Sequence, residues 1–378
     1  MSHHPHCQRE YLHTRRQILQ HGASGLGMLA LAAMAGEAAI AEEAAGPLAQ
    51  RPTHFPAKAK RVIMLWQAGG PPHQDAFDPK PTLREAHGKE TKLFASLLGE
   101  RFEKSTRKMV GSPWESAKHG ESGIEVSAAF ERLAECVDDM CIIRSMHGDF
   151  PGHFEATRQM HTGQGIFTRP SLGSWTVYGL GTENQELPGF ISLGMADRGG
   201  ADSSAFLPAV YSGTPVNATA REKHGTIRHL ENRNATRGMQ RAQIDLIQKM
   251  NHGLVEQTER DQKIDGIIDN FEIAFHMQNV APEILDFSQE TPETLSLYNV
   301  DDADQAAANI GAKCLLARRL AEAGVRFIEI GMQGSDPHTN LKDGYGKAAR
   351  SNDRAAAGLL KDLKQRGLLE DTLVVCGG

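Results

Sequence analysis

The chain has 378 residues, of which 40% are hydrophobic and 23% charged, and its formal net charge is −6. That balance is ordinary for a globular protein, and without a basic block it argues against nucleic acid or an anionic membrane surface as a partner. Five cysteines with no C-x-x-C pair argue against a disulfide-built scaffold and a cysteine-based zinc site, whereas seventeen histidines are a rich supply of imidazole.

Residues 1–41 read as a signal peptide. Thr14-Arg15-Arg16-Gln17-Ile18-Leu19 carries an arginine pair followed by a polar and then two apolar residues. An uncharged run from Ala23 to Ala35 and the small-residue site Ala39-Ile40-Ala41 follow in the order of a twin-arginine signal. The apolar run is too short and too rich in Gly and Ala to span a bilayer, which takes ~20 strongly apolar residues. The expectation is export, to the periplasm or beyond, through the twin-arginine machinery. No membrane span is expected in the mature chain.

Residues 42–60 read as a linker, and 61–378 as one α/β domain. Arg61–Trp66 is an apolar run of the kind buried on both faces of a parallel sheet, and Ala68-Gly69-Gly70-Pro71-Pro72 ends it in a loop. Ile124–Val137 has helical spacing, with Val126, Phe130, Leu133 and Val137 on one face. Cys141–Ser145 and Phe190–Leu193 read as further buried strands. Residues 228–280 form a helical insertion with an apolar stripe of Ile244, Ile247, Leu254, Ile264, Ile267, Ile268, Phe271 and Phe275. Gln305–Ala323 is a helix stopped by Gly324, and Val325–Ile330 the strand after it. Ala348–Gln365 is a helix stopped by Gly367, and Thr372–Cys376 a last strand. The alternation predicts a three-layer α/β sandwich with a mostly parallel sheet.

Ligands of such sheets lie beyond the strand carboxyl ends. Three of these ends deliver His and Asp into loops: His73, Asp75 and Asp78 after the first strand, His147 and Asp149 after 141–145, and Asp336 and His338 after 325–330. Oxygen ligands and imidazoles converging at one sheet edge suit a divalent metal: zinc, manganese, magnesium or calcium. Taken singly, Asp78 reads as a turn cap, and Asp75 and His73 read equally as ligands or turn residues. Asp336 and His338, two residues apart, can converge on one ion, or form an Asp-Pro turn. His153, Thr157 and His161 recur every fourth residue and share one helix face. They either line the site or end the helix before Gly163.

Several segments together resemble a bacterial family, domain of unknown function 1501, of the alkaline-phosphatase-like or sulfatase-like superfamily. They are Phe55–Ile63, Gly69-Gly70 with Asp75-x-Phe77-Asp78-Pro79-Lys80-Pro81, Arg144-Ser145-Met146, His161-Thr162-Gly163, Pro170–Trp175, Leu187–Phe190, Asp362-Leu363 and Gly367–Val375. The resemblance implies an alkaline-phosphatase-like fold, one or two divalent metals at the strand ends, and hydrolysis of phosphate or sulfate esters on a glycan or small molecule. It makes Asp75 the first-strand metal ligand with Asp78 as second choice, and it matches Asp336 and His338 to the family's Asp-x-His element. Ser335 stands where the family has Trp. Counted back from Thr162-Gly163, the place of the superfamily's Cys or Ser nucleophile falls on His153, and Thr157 is the nearest hydroxyl. His153 and Thr157 are therefore the candidate catalytic residues. The family strand matching 372–376 continues into a loop and an Asp-His pair, so the resemblance implies chain beyond Gly378. The competing expectation is an exported metal- or glycan-binding protein that keeps the fold without catalysis.

Overall fold

The computed structural model describes residues 46–91, 107–195, 200–232, 234–255 and 262–378. The signal peptide expected at 1–41 lies outside them. Leu48, within the expected linker, is buried and packs beside Met64 and Val177.

In chain order, β1 (Arg61–Trp66) is followed by α1 (Pro81–Glu85), β2 (Glu90–Thr91), β3 (Arg107–Lys108), β4 (Ser116–His119) and β5 (Ile124–Ser127). Then come α2 (His153–Thr162), α3 (Leu172–Leu180), β6 (Phe190–Leu193), β7 (Thr214–Thr219) and β8 (His224–Thr226). The remainder is α4 (Arg237–Val255), α5 (Gln262–Leu285), α6 (Pro292–Leu297), α7 (Gln305–Glu322), β9 (Phe327–Gly331), α8 (Leu341–Gln365) and β10 (Thr372–Gly377).

Among the described residues, one sheet has six strands in the order β10-β1-β9-β6-β7-β8. All its pairings are parallel except β7 with β8. Side chains alternate across it. Ile63, Leu65, Ile328 and Ile330 join one core with α7 and α8, while Met64, Trp66 and Phe327 join a second with Val177 of α3. Helices thus lie on both faces, compatible with the expected α/β sandwich. Strands buried on both sides read as continuous apolar runs, which is why β1, β6 and β9 are legible in the sequence; β10, at the sheet edge and partly exposed, is legible from its β-branched and apolar residues.

Local chemistry explains the helix ends. Asp304 caps α7, its side chain accepting from the Ala306 N–H, and Gly324, at φ 86°, ends it. Ser171 caps α3 by accepting from the Ser174 N–H. This accounts for part of the Pro170–Trp175 motif, and Gly173 accounts for more, since a Cβ there would meet the Phe190 ring at 2.7 Å.

Two expected elements differ. Ile124–Val137 is not one helix. Its first residues form β5, paired antiparallel with β4 around a turn in which Gly120 and Gly123 both have positive φ, and 3-10 turns follow at Ala128–Phe130 and Leu133–Asp139. Val126, Phe130, Leu133 and Val137 are all buried. The apolar face is real, but short-range pairing with β4 overrides the helical period, and Asp353 of α8 holds the next turn by accepting from the N–H groups of Arg132 and Leu133. Cys141–Ser145 is not a strand: it lies outside the sheet, with Cys141, Ile143, Arg144 and Ser145 exposed. Both neighbours of β1 are already supplied by β9 and β10, and so short an apolar run carries no periodicity that tells a strand from an extended loop.

The helical insertion is the hairpin of α4 and α5. Ile244 and Phe275 are buried, whereas Ile247 and Phe271 are exposed; the side chains of Leu254, Ile264, Ile267 and Ile268 lie outside the described residues. Arg241 clamps the hairpin by donating twice to Glu272 at 2.7 Å. Among the described residues no helix is long and apolar enough to cross a membrane.

Candidate functional site

Because β1 and β9 are parallel neighbours, their carboxyl ends emerge side by side. Backbone bonds join the two outgoing loops: Met332 N–H donates to the Trp66 carbonyl at 2.9 Å, and Ser335 N–H to the Ala68 carbonyl at 3.1 Å. Gly69 is required here, for a Cβ on it would lie 2.5 Å from the Ser335 oxygen. Asn352 of α8 grips the β9 loop, exchanging two hydrogen bonds with the Gln333 backbone.

On this frame three of the expected residues meet. His153, the first residue of α2, and His338 both direct Nε2 to Asp336 Oδ2, at 2.9 and 3.0 Å. The two imidazoles hold the Asp336 carboxyl below the usual carboxylate range, so it is ionised and can only accept. Each Nε2 therefore donates to it. All three side chains remain open to solvent.

The first-strand residues are placed differently. Asp78 pairs with Lys80 at 2.7 Å, with His73 beyond at 3.9 Å, and Lys80 lowers its pKa. Asp75 is fully buried, and neither carboxylate oxygen has a hydrogen-bond partner. Burial raises its pKa, while Ser112 and His73 nearby lower it less. The structure does not bring Asp75, Asp78 or His73 into the hydrogen-bonded cluster at Asp336. Of the second loop, Asp149 is tied to α2 by hydrogen bonds to Gln159. Thr157 contributes its carbonyl, which accepts from His161 Nδ1 at 2.7 Å.

The row His153, Thr157, His161 does share one side of α2, but it descends from solvent into the core. His161 is buried against Glu329 of β9, which its Nε2 contacts directly, and its ring meets Trp66 edge-on at 4.6 Å. Burial disfavours charge on His161, but the Glu329 hydrogen bond and charge outweigh it and raise its pKa; burial raises that of Glu329. Glu329 is legible in hindsight as the one charge inside the apolar run Phe327–Ile330.

A cavity of about 430 Å³ opens at the ends of β1, β6 and β9, lined by Trp66, Gly69, Gly194, Lys313, Gly331 and Asp336 among others. A larger cleft of about 770 Å³ lies by β8 and the following loop, around His224, His229 and Glu231. It contains none of the strand-end residues, and position relative to the parallel strands favours the smaller cavity. Lys313 was missed in the sequence because its helix reads as a core helix.

Two imidazoles and a carboxylate suit zinc or manganese as donors, and the orphaned oxygens of Asp75 are a second place where positive charge would be welcome. Among the described residues, no three His, Cys, Asp or Glu side chains are already arranged to hold a metal ion. The fit is one of donor type.

Fold and site define an α/β protein with an open, polar cleft at the carboxyl ends of a mostly parallel sheet. The chain belongs to the family described as Protein of unknown function (DUF1501), which matches residues 59–378. No curated protein and no solved structure matches it.

Proposed function

We propose that this chain is an exported hydrolase of phosphate or sulfate esters with an alkaline-phosphatase-like fold, dependent on a divalent metal. The observation that carries the reading is the meeting of His153 and His338 on one oxygen of Asp336, beside a cavity at the strand ends. Asp336, His153 and His338 are the residues that would hold the ion, through the Asp336 carboxylate and the two Nε2 atoms that converge on it. When bound, a divalent ion supplies Lewis-acid stabilisation of the ester oxygens. Asp336 orients both imidazoles. Either one, open to solvent, is placed to take a proton on Nδ1 or to pass one to a leaving oxygen.

A second reading, metal or glycan binding without turnover, is favoured by one observation. His153 occupies the nucleophile's place and is engaged with Asp336, and no Ser or Cys stands there.

The purified protein, supplied in turn with zinc, manganese, magnesium and calcium, should hydrolyse 4-nitrophenyl phosphate or sulfate and retain metal on elemental analysis. Asp336→Asn or His338→Ala should lower kcat/KM by about 100-fold or more, the scale of acid–base catalysis. No turnover with any of the four ions, together with no retained metal, would refute the hydrolase reading. Retained metal without turnover would select the binding reading.

A further inference from the structure

The strand-end cavity is shaped by glycines that admit no side chain. A Cβ on Gly194, at φ 71° just after β6, would lie 2.6 Å from Lys313 Nζ and 2.8 Å from its Cε. A Cβ on Gly331, the last residue of β9, would lie 2.6 Å from the Gly194 oxygen. The backbones of β6 and β9 therefore approach closely, and the stem of Lys313 passes over the β6 end where only glycine leaves room.

Lys313 rises from a stretch of α7 whose neighbours Ala312 and Cys314 are fully buried. Lys313 itself is half-buried, which removes part of the hydration of its charge. Its Nζ donates to the Gly331 carbonyl at 2.8 Å, so the ammonium is delivered to the strand ends, where it forms part of the cavity wall. Asp336 lies on the same wall, and its charge faces His153 and His338. The cavity lining combines Gly, Ala and Ser with Trp66, Met195, Ile310 and Met332, and the wall it exposes is more polar than apolar, which suits a compact, charged group better than an apolar one. At about 430 Å³ the space exceeds a single tetrahedral oxyanion and falls in the range of small-molecule sites, roughly 300–1,000 Å³.

We infer that this cavity is an oxyanion site in which the Lys313 ammonium binds the non-bridging oxygens of a sulfate or phosphate group, with the rest of the ester extending toward Asp336. This inference deepens the proposed hydrolase function and rests on it for the identity of the ester. Binding of the oxyanion needs neither turnover nor metal, so the two can fail separately. The simpler role for Lys313 is to cap the Gly331 carbonyl, and that role predicts no effect on anion binding.

The test is calorimetric titration of inorganic phosphate and inorganic sulfate into the whole chain in chelating buffer, at constant ionic strength. Wild type should bind at least one of them saturably. Lys313→Met, which keeps the stem, should weaken binding roughly 10- to 100-fold, the worth of a hydrogen bond to a charged group. Lys313→Arg should stay closer to wild type, because the charge remains. Displacement of the ion by 4-nitrophenyl sulfate or 4-nitrophenyl phosphate supports an ester site; saturable binding that neither ester displaces refutes that part. Absence of saturable binding to wild type, or equal affinity in a folded Lys313→Met, overturns the inference. Should Lys313→Met not fold, acetylation of Lys313 in wild type, followed by mass spectrometry, takes its place. Phosphate or sulfate should slow it relative to chloride, and an unchanged rate overturns the inference. If anions bind as expected but no ester is turned over, the hydrolase reading fails and the oxyanion site stands.

Discussion

A carboxylate removed from water with no hydrogen-bond partner on either oxygen is costly, and Asp75 is in that position. The Tyr345 hydroxyl is also buried and unpartnered, and the Asp75 charge adds to burial in raising its pKa. Because the folded pKa of Asp75 lies above 3.8, the native state holds its proton more tightly than the unfolded chain. The associated stability is full below pH 3.8 and is lost as pH rises through the raised value. Asp75→Asn, neutral and of the same shape, should therefore stabilise the protein in chelating buffer at pH 7, by about 1–3 kcal/mol, and flatten its acid-side pH dependence. Denaturant titration measures this, and a destabilised variant would mean that the charge is compensated. The sequence shows an Asp in a Gly- and Pro-rich loop, legible as a ligand or a turn residue. It does not show that the side chain turns inward, because the surroundings include Tyr345, far along the chain.

Helix α2 shows how an element places a residue. His161 donates from Nδ1 to Thr157 and meets Glu329 through Nε2, clamping the far end of α2 to the middle of β9. His153 at its other end is thereby held opposite Asp336. Both members of the buried pair have folded pKa values above their ordinary 6.5 and 4.5. Native protein thus holds more protons than unfolded, and the pair's contribution declines as pH rises through that raised range, with a slope of up to about 1.4 kcal/mol per pH unit for one proton. Melting curves from pH 5 to 9 should fall less steeply with pH for Glu329→Gln than for wild type; parallel profiles would contradict the clamp. The helix was legible from its fourfold spacing and from Gly163. Its clamp was not, since Glu329 comes from a distant strand. The Ile124–Val137 segment differs from its expected helix for another reason: its apolar spacing is helical, but the adjacent β4 pairs with its first residues across a short turn.

At the scale of the molecule, the reading of residues 1–41 and that of the domain support one another. A domain whose site is assembled from loops after β1 and β9 and from α2 works only when the sheet is complete. A route that carries folded cargo suits such a domain. On cell fractionation the wild type is expected in the periplasm, and replacing Arg15 and Arg16 together with Lys should leave the protein in the cytoplasm. Equal periplasmic yields would refute the twin-arginine route. By itself, the sequence determined the strands β1, β6, β9 and β10, the end of α7 at Gly324, and the residue types at the strand ends. Those follow from local rules: continuous burial writes the apolar runs of β1, β6 and β9, β-branched and apolar residues mark β10, and a left-handed helix terminus calls for glycine. Only the tertiary structure decided that β1 and β9 are neighbours, that Cys141–Ser145 lies outside the sheet, that His153 and His338 share Asp336, and that Lys313 reaches the same cavity. Each of these depends on hydrogen bonds and packing between segments far apart in the chain, to which no local pattern is bound.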